Sequence, residues 1–318
     1  MAFDLLALVK DAKTIGITGH LNPDGDCIAS NLALAMYLQK ALSGAKTEVF
    51  LEKPEKAFDH IPGRDMLITD FPERAPFDVF IVCDTNYERI SGSKKYFDAA
   101  KRTINIDHHI SNANGTGEYN YVIPEAAACA EIIGSLIPKD MLDAQIAELL
   151  YMGIAHDTGV FHFSNTRPET MRICANLLEY DFDFSRMLDE TFYIRTDLQN
   201  RMMGQALLDS RFHLDGRVIV SSADLALMAK LGTGRDETGG IVERLRNTEG
   251  VDCSVYIYEK TPGHFKGSLR SSSDAVNVAK VCEAFGGGGH DRAAGCEYDG
   301  TVAEFEEKII AEISKQYM

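Results

Sequence analysis

Thr14-Ile15-Gly16-Ile17-Thr18-Gly19-His20-Leu21-Asn22-Pro23-Asp24-Gly25-Asp26 passes from an apolar stretch into a histidine and then two acids flanking one glycine. Its first six residues predict a β-strand that ends at His20. From about residue 28 to 42 the apolar side chains recur at helical spacing, and residues 47–51 return to strand character. Strand, polar turn, helix and strand in succession is the repeating unit of a parallel sheet. Further along, Asp78-Val79-Phe80-Ile81-Val82-Cys83 is a continuous apolar run, as expected of a parallel strand covered on both faces. Residues 102–106 predict another strand, Pro124 the first position of an Ala-rich helix, and residues 143–155 a helix ending near Asp157. The class expected is α/β, with an N-terminal doubly wound, mainly parallel sheet. Such sheets bind ligands beyond the carboxyl ends of their strands. His20, Asp84, Asp107 and His108 all fall at or just after a predicted strand end.

Helices over 168–180 and 184–193 are expected to complete a first domain, residues 1–190. A polar-rich helical segment over 197–209 is expected to form the connector, residues 191–210. Beyond it, Arg211-Phe212-His213-Leu214-Asp215-Gly216-Arg217-Val218-Ile219-Val220 predicts a hairpin with Asp-Gly at its turn. Strands over 251–259 and 265–271, with helices before and after, predict a smaller α+β domain over 211–318. A cleft between the two domains is the expected place for an active site.

A chain of 318 residues suits two domains better than one. No apolar stretch is long enough to span a bilayer, and the N-terminus reads as a short amphipathic helix rather than a signal peptide. The seven cysteines are odd in number, scattered and free of any Cys-x-x-Cys pair. They read as reduced, mostly buried thiols of a cytoplasmic protein. Net charge is −16, from 32 basic against 48 acidic side chains. That argues against a protein that grips long duplex nucleic acid, because such binding rests on many Lys and Arg contacts to phosphate. A small phosphate-bearing substrate stays compatible, since well-placed arginines and metal ions reverse an acidic surface locally.

Four acid and histidine clusters carry the chemistry: His20 with Asp24 and Asp26, then Asp84, then Asp107-His108-His109, then His156-Asp157. Two carboxylates as close as Asp24 and Asp26 repel each other unless a cation neutralises them. Taken alone they read equally well as a solvated turn with helix-capping acids. An aspartate ending a wholly apolar strand, as Asp84 does, is seldom decorative, a capping aspartate being the alternative, and an acid followed by two histidines after another strand is rarer still. Jointly the clusters point to divalent metal ions and a metal-dependent hydrolase. Cys27 and Cys83 flank candidate ligands and read as small packing residues.

The set resembles the DHH phosphoesterase superfamily, whose motifs correspond to residues 19–30, 82–85, 107–109 and 156–159. The second half resembles the DHH-associated C-terminal domain through Gly267-Ser268-Leu269-Arg270-Ser271 and Gly286-Gly287-Gly288-Gly289-His290-Asp291-Arg292-Ala293-Ala294-Gly295. Ala29-Ser30 stands where Gly-Ser is commoner, and Ile110 follows the triplet; neither touches an expected ligand. The resemblance implies two metal ions, one held by His20, Asp24 and Asp84, the other by Asp26, Asp84, His108 and Asp157, with Asp84 bridging. Oxygen and imidazole donors without thiolate favour Mn²⁺ over Zn²⁺ or Ca²⁺, with Mg²⁺ or another divalent ion as the alternative. Two ions about 3.5–4 Å apart would activate a bridging water for in-line attack on phosphorus. Asp84, Asp107 and His109 are the catalytic set so implied, Asp107 orienting a histidine ring and His109 serving the phosphate side. Arg270, Ser271, Gly287, Gly288, Gly289 and His290 would hold substrate, through the Arg270 fork and glycine amides open to an anion. A mobile loop is the plain alternative for the glycines. Lys266 is either a phosphate contact or an exposed strand lysine, and Asn165-Thr166 either lines the site or caps the next helix.

Within that superfamily the chain resembles the group of nano-RNases and 3′-phosphoadenosine 5′-phosphate phosphatases. Short oligoribonucleotides or small phosphorylated nucleotides are therefore the expected partners. Phosphodiesterases of cyclic dinucleotides, or of their linear products, are the alternative. A homodimer stays open.

Overall fold

The computed structural model describes residues 3–317. The chain divides into two compact units, one running to Ile194 and the other starting at Arg195. In the first, the elements follow as α1 (Leu5–Val9), β1 (Thr14–Thr18), α2 (Gly25–Ala41), β2 (Lys46–Phe50), β3 (Leu67–Ile68), β4 (Val79–Cys83), α3 (Lys94–Ala99), β5 (Thr103–Asp107), β6 (Tyr119–Val122), α4 (Cys129–Leu136), α5 (Ala144–Asp157), α6 (Pro168–Leu177) and α7 (Phe184–Leu188). Its sheet has the order β3-β2-β1-β4-β5-β6, and every neighbouring pair is parallel. From β1 the chain builds outward through β2 to β3, then returns to lay β4 against the other side of β1. That reversal opens a crevice at the carboxyl ends of β1 and β4, the place where such sheets take ligands.

The apolar run of β4 has the reason expected of it. Val79, Ile81 and Cys83 enter a core shared with Ile28 and Leu32 of α2, Ile133 of α4 and Leu150 of α5. Phe80 and Val82 point to the opposite face and join Phe50, Phe77 and Tyr96. Alternate residues of a strand serve alternate faces, so a strand buried on both must be apolar throughout.

Three elements differ from expectation, and the first two differences have a physical cause. The Asp24-Gly25-Asp26 turn is the start of α2: Asp24 is its N-cap, accepting from the Cys27 amide, and Asp26 sits in the first turn. Pro124 does not open a helix. The Ile123 amide still donates to Asp107 in the direction of the sheet, and a turn follows before α4 begins at Cys129. What starts α4 is the Asp26 carboxylate, which accepts from the Cys129 amide at 2.6 Å and the Ala130 amide at 2.9 Å. A carboxylate on the first free amides of a helix satisfies and nucleates it, here from 103 residues away. The helix expected over 184–193 is α7 followed by a π-turn, Asp189–Tyr193.

The second unit contains α8 (Asp197–Leu208), β7 (Arg211–His213), β8 (Val218–Ala223), α9 (Leu225–Leu231), α10 (Ile241–Arg246), β9 (Cys253–Thr261), β10 (His264–Ser271), α11 (Val278–Glu283), β11 (Gly288–His290), β12 (Ala293–Asp299) and α12 (Val302–Ser314). The sheet order is β11-β12-β10-β9-β8-β7, with β8 and β9 parallel and the remaining pairs antiparallel. The β7–β8 hairpin turns through Leu214, Asp215 and Gly216, all at positive φ. Val218, Val220, Val255 and Ile257 feed one core with α11 and α12. Ile219, Tyr256 and Tyr258 feed another with α8, α9 and α10. The α8 segment buries Met202 and Ala206 in that second core.

Candidate metal centre

Four chain segments deliver the charged side chains to the carboxyl edge of the first sheet: the turn after β1, the residue after β4, the end of β5 and the last turn of α5. His20 is buried, and its Nδ1 lies 2.8 Å from the Leu21 carbonyl. A carbonyl accepts only, so Nδ1 carries the proton and Nε2 is turned towards Asp84 Oδ2 at 3.4 Å and Asp24 Oδ1 at 3.6 Å. His108 repeats the arrangement, with Nδ1 3.3 Å from the Ala126 carbonyl. Its Nε2 faces Asp84 Oδ1 and Asp157 Oδ2, both at 3.2 Å, and Asp26 Oδ2 at 3.9 Å. Backbone anchoring of one ring nitrogen to aim the other is how proteins prepare an imidazole to ligate a metal.

Asp84 is the pivot. Its two oxygens face two different histidines, and it holds that pose from a left-handed backbone, φ +60°, that most residues avoid. Asp84 Oδ1 and His108 Nε2 are buried and engaged in no hydrogen bond. Unpartnered buried polar atoms are costly. A divalent cation among them satisfies both, and the donor set, imidazole nitrogen with carboxylate oxygen, suits one. Groups of donors within 4.8 Å of one another include Asp26–His108–Asp157 and Asp84–His108–His109. The site can therefore hold metal.

The electrostatics agree. Burial disfavours a charged His20, yet Asp24 and Asp84 outweigh it and hold its pKa far above the ordinary imidazole range. His108, likewise opposed by burial, is pushed up to about 12 by Asp157 and Asp84. Burial, then repulsion from Asp84 and Asp157, drives the Asp26 carboxyl well above its usual range. Negative charge concentrated this way calls for cations, and protons fill that role until a metal does.

Asp107 is wholly buried. Its Oδ1 accepts from His109 Nδ1 at 2.7 Å and from the His108 amide at 2.7 Å, while Oδ2 accepts from Asn112 at 2.6 Å. The hydrogen bond that His109 donates to Asp107 raises the His109 pKa. Cys27 Sγ lies within 4.8 Å of donors on His20 and Asp84. Burial pushes that thiol up to about 12, which keeps it neutral and fits packing rather than ligation. Two glycines make the site possible. A Cβ on Gly153 would fall 2.7 Å from Ala130 Cβ and 2.9 Å from Asp26 Oδ1, and one on Gly25 would strike the His156 ring at 2.7 Å.

The residues expected to hold substrate lie together at one end of the second unit's sheet, at β10, β11 and the turn before β11. Arg270 donates Nε to Glu243 Oε1 at 2.9 Å and places Nη2 2.8 Å from the same oxygen. Ser271 Oγ donates to the Ser273 carbonyl at 2.7 Å. Gly288 and Gly289 belong to the edge strand β11, and His290 is exposed there. A Cβ on Gly287 would meet the Gly295 carbonyl at 2.3 Å, and one on Gly289 the Ala293 carbonyl at 2.5 Å, so both are glycine because β12 passes so close.

Sequence reasoning missed Asn112 and left Asn165 and His156 without a definite role. Asn112 anchors Asp107, and Asn165 ties the Asp157 carbonyl at 3.0 Å to the Ala127 carbonyl at 3.1 Å. Arg167, not Asn165, caps α6. His156 points its Nδ1 at Asp157 Oδ1, 3.5 Å away. Its adjacency to Asp157 places it in the fourth cluster of the sequence, though not as a ligand.

Comparison with known proteins agrees with this architecture. The DHH family, N-terminal domain, matches residues 14–154, and the DHHA1 domain matches residues 215–317. The bifunctional oligoribonuclease and PAP phosphatase NrnA of Thermus thermophilus is 32% identical over 90% of this chain and 84% of its own. Its namesake from Bacillus subtilis is 26% identical over 96% of this chain and 98% of its own. Among solved structures, an exopolyphosphatase-related protein from Bacteroides fragilis shares the fold with a TM-score of 0.89 at 24% identity, covering 98% of this chain and 96% of the other. With both domains matched and a relative of such identity along most of its length, the chain belongs to the DHH family.

Proposed function

We propose that the protein uses two Mn²⁺ ions to release mononucleotides from the ends of very short oligoribonucleotides and to dephosphorylate 3′-phosphoadenosine 5′-phosphate, in the cytoplasm. As a DHH-family member with NrnA relatives it is a hydrolase acting on phosphoester bonds. The observation that carries the reading is the Asp84 carboxylate divided between His20 and His108, in a chain similar to NrnA along nearly its whole length. No helix among the described residues is long and apolar enough to cross a membrane.

In this reading His20, Asp24 and Asp84 hold one ion, and Asp26, Asp84, His108 and Asp157 the other. When bound, such a pair lowers the pKa of water and neutralises charge gathering on the phosphoryl oxygens. The protein's own groups do the rest. The carbonyls of Leu21 and Ala126 keep the His20 and His108 Nε2 lone pairs aimed inward. Asp107 keeps the proton on His109 Nδ1 and raises the ring's basicity, so that His109 Nε2–H donates to a phosphoryl or leaving oxygen. Arg270, Ser271, the amides of Gly287, Gly288 and Gly289, and His290, all within residues 211–318, contact the substrate phosphate or its nucleoside.

The test is hydrolysis of a labelled RNA dinucleotide, 3′-phosphoadenosine 5′-phosphate, linear di-adenylate and cyclic di-AMP in parallel, with Mn²⁺ and with chelator. Turnover of the first two in Mn²⁺ alone is expected. A kcat/KM highest for cyclic di-AMP would move the protein to the cyclic-dinucleotide phosphodiesterases, and no turnover of any of the four would refute the reading.

A further inference from the structure

The two-ion assignment leaves one histidine of the centre without a role. The side chains around the site alternate in type: His20 faces Asp84, Asp84 faces His108, His108 faces Asp157, and Asp157 faces His156. Asp24 closes the circuit, 3.6 Å from His20 and grouped with His156 and Asp157 within 4.8 Å. Asp157 repeats what Asp84 does, turning Oδ2 to one histidine and Oδ1 to the next. In the two-ion assignment Asp24 would serve one ion and Asp157 the other, while His156, grouped with both, would serve neither.

The Asp24–His156–Asp157 arc is built, not incidental. His156 Nδ1 is buried and makes no hydrogen bond. Its ring is flanked by Phe58 and Phe192, at 6.2 and 6.1 Å between centroids, and closes onto Gly25 where any Cβ would collide. Ring packing thus presents a nitrogen donor to two carboxylates. An imidazole with two carboxylate oxygens is a donor set for a divalent ion of the Mn²⁺ type.

We propose that Asp24, His156 and Asp157 form a third divalent-cation position, contiguous with the two-ion centre. Three protein donors leave coordination positions to water or to an anionic substrate. The inference rests on the metal-centre reading and fails separately from it. Mn²⁺ binding to the full chain is counted by equilibrium dialysis and by loss of the free-ion electron paramagnetic resonance signal. Wild type is expected to take up three ions, the third more weakly. His156→Phe keeps the ring between Phe58 and Phe192 while removing the donor, and is expected to bind two with an unchanged melting profile in chelator. His156→Asn returns an oxygen near the Nδ1 position and is expected to regain the third ion with lower affinity than wild type. Two ions in wild type and in both variants, or three in His156→Phe, would overturn the third position and leave the two-ion reading standing. Fewer than two in wild type would overturn both.

Discussion

The two ends of β4 each carry an aspartate, and their surroundings are opposite. Asp78, just before the strand, accepts from the Lys13 amide at 2.9 Å, the Thr14 amide at 3.1 Å and Lys101 Nζ at 2.7 Å. Asp84, just after it, holds a left-handed backbone, faces two histidines and leaves Oδ1 buried without a hydrogen bond. One acid closes the structure; the other is kept deprived and strained by everything around it. Strain and unsatisfied polarity concentrate where a fold serves a ligand. The second unit behaves like the Asp78 end. Arg270 and Ser271 are partnered internally, so a phosphate arriving there competes with Glu243 instead of filling an unmet need.

The largest effect expected follows from the Asp84 end. Asp84→Asn keeps the side-chain size and tolerates positive φ, and removes only the charge that the two proposed ions would share. Turnover should vanish, while stability in chelator should change little, because relief of the repulsion on Asp26 is set against lost attraction to protonated His20 and His108. Activity within about tenfold of wild type, the loss typical of groups that only support a ligand, would break the contrast. Chelation comes next. Removing metal present at about 100 times its Kd should cost roughly 3 kcal/mol. Faster hydrogen exchange should appear in the turns after β1, β4 and β5 and not in the second sheet; equal loss in both units would contradict the localisation. Metal uptake at neutral pH should also release protons, since His20 and His108 both have raised pKa values and hold protons there until displaced. Calorimetric heats that do not vary with buffer ionisation enthalpy would refute that.

The sequence revealed the Asp84 end far better than it revealed what supports it. The β4 run, the acid after it and the Asp107-His108-His109 triplet are local patterns, and each ligand type is legible in a few residues. The start of α4 is not, because Pro124 signals a helix locally whereas the acceptor for the Cys129 and Ala130 amides arrives from Asp26. Asn112 is equally silent in sequence and Asn165 reads two ways, since an amide is informative only once its carbonyl or carboxylate partners are located in space. The Arg270–Glu243 pair spans 27 residues and two elements, so the sequence offers Arg270 to a phosphate without showing the partner it already has.

Asp107→Asn probes the support directly. It should lower kcat roughly 10–100-fold with little change in KM. Because Asp107 raises the His109 pKa, the alkaline limb of the kcat/KM profile should move to lower pH; an unmoved limb would remove His109 as the proton donor. A smaller effect is expected at the partnered arginine. Glu243→Gln weakens the competitor for Arg270 and should lower KM about two- to fivefold, the worth of a part-exposed ion pair, while Arg270→Ala raises it. No change of KM in either variant would take Arg270 out of the substrate site.

The least effect belongs to the satisfied end of β4. Lys101, then the Lys13 and Thr14 amides, pull the Asp78 carboxyl down to about 2. A carboxyl depressed on folding stabilises the protein above its unfolded pKa, about 3.9, and loses that contribution as pH falls towards the folded value. Asp78→Asn should therefore lower Tm slightly and by a constant amount above about pH 5. The gap to wild type should shrink between about pH 4 and pH 2 and close below that. The effect stays small because the Lys101 pair is open to water and weakens further with salt. Metal makes the comparison with Asp84 decisive: the Asp78→Asn loss should be the same with Mn²⁺ or chelator, whereas the Asp84→Asn change should depend on which is present. A metal-dependent effect at Asp78 would mean that the two ends of the strand are not independent.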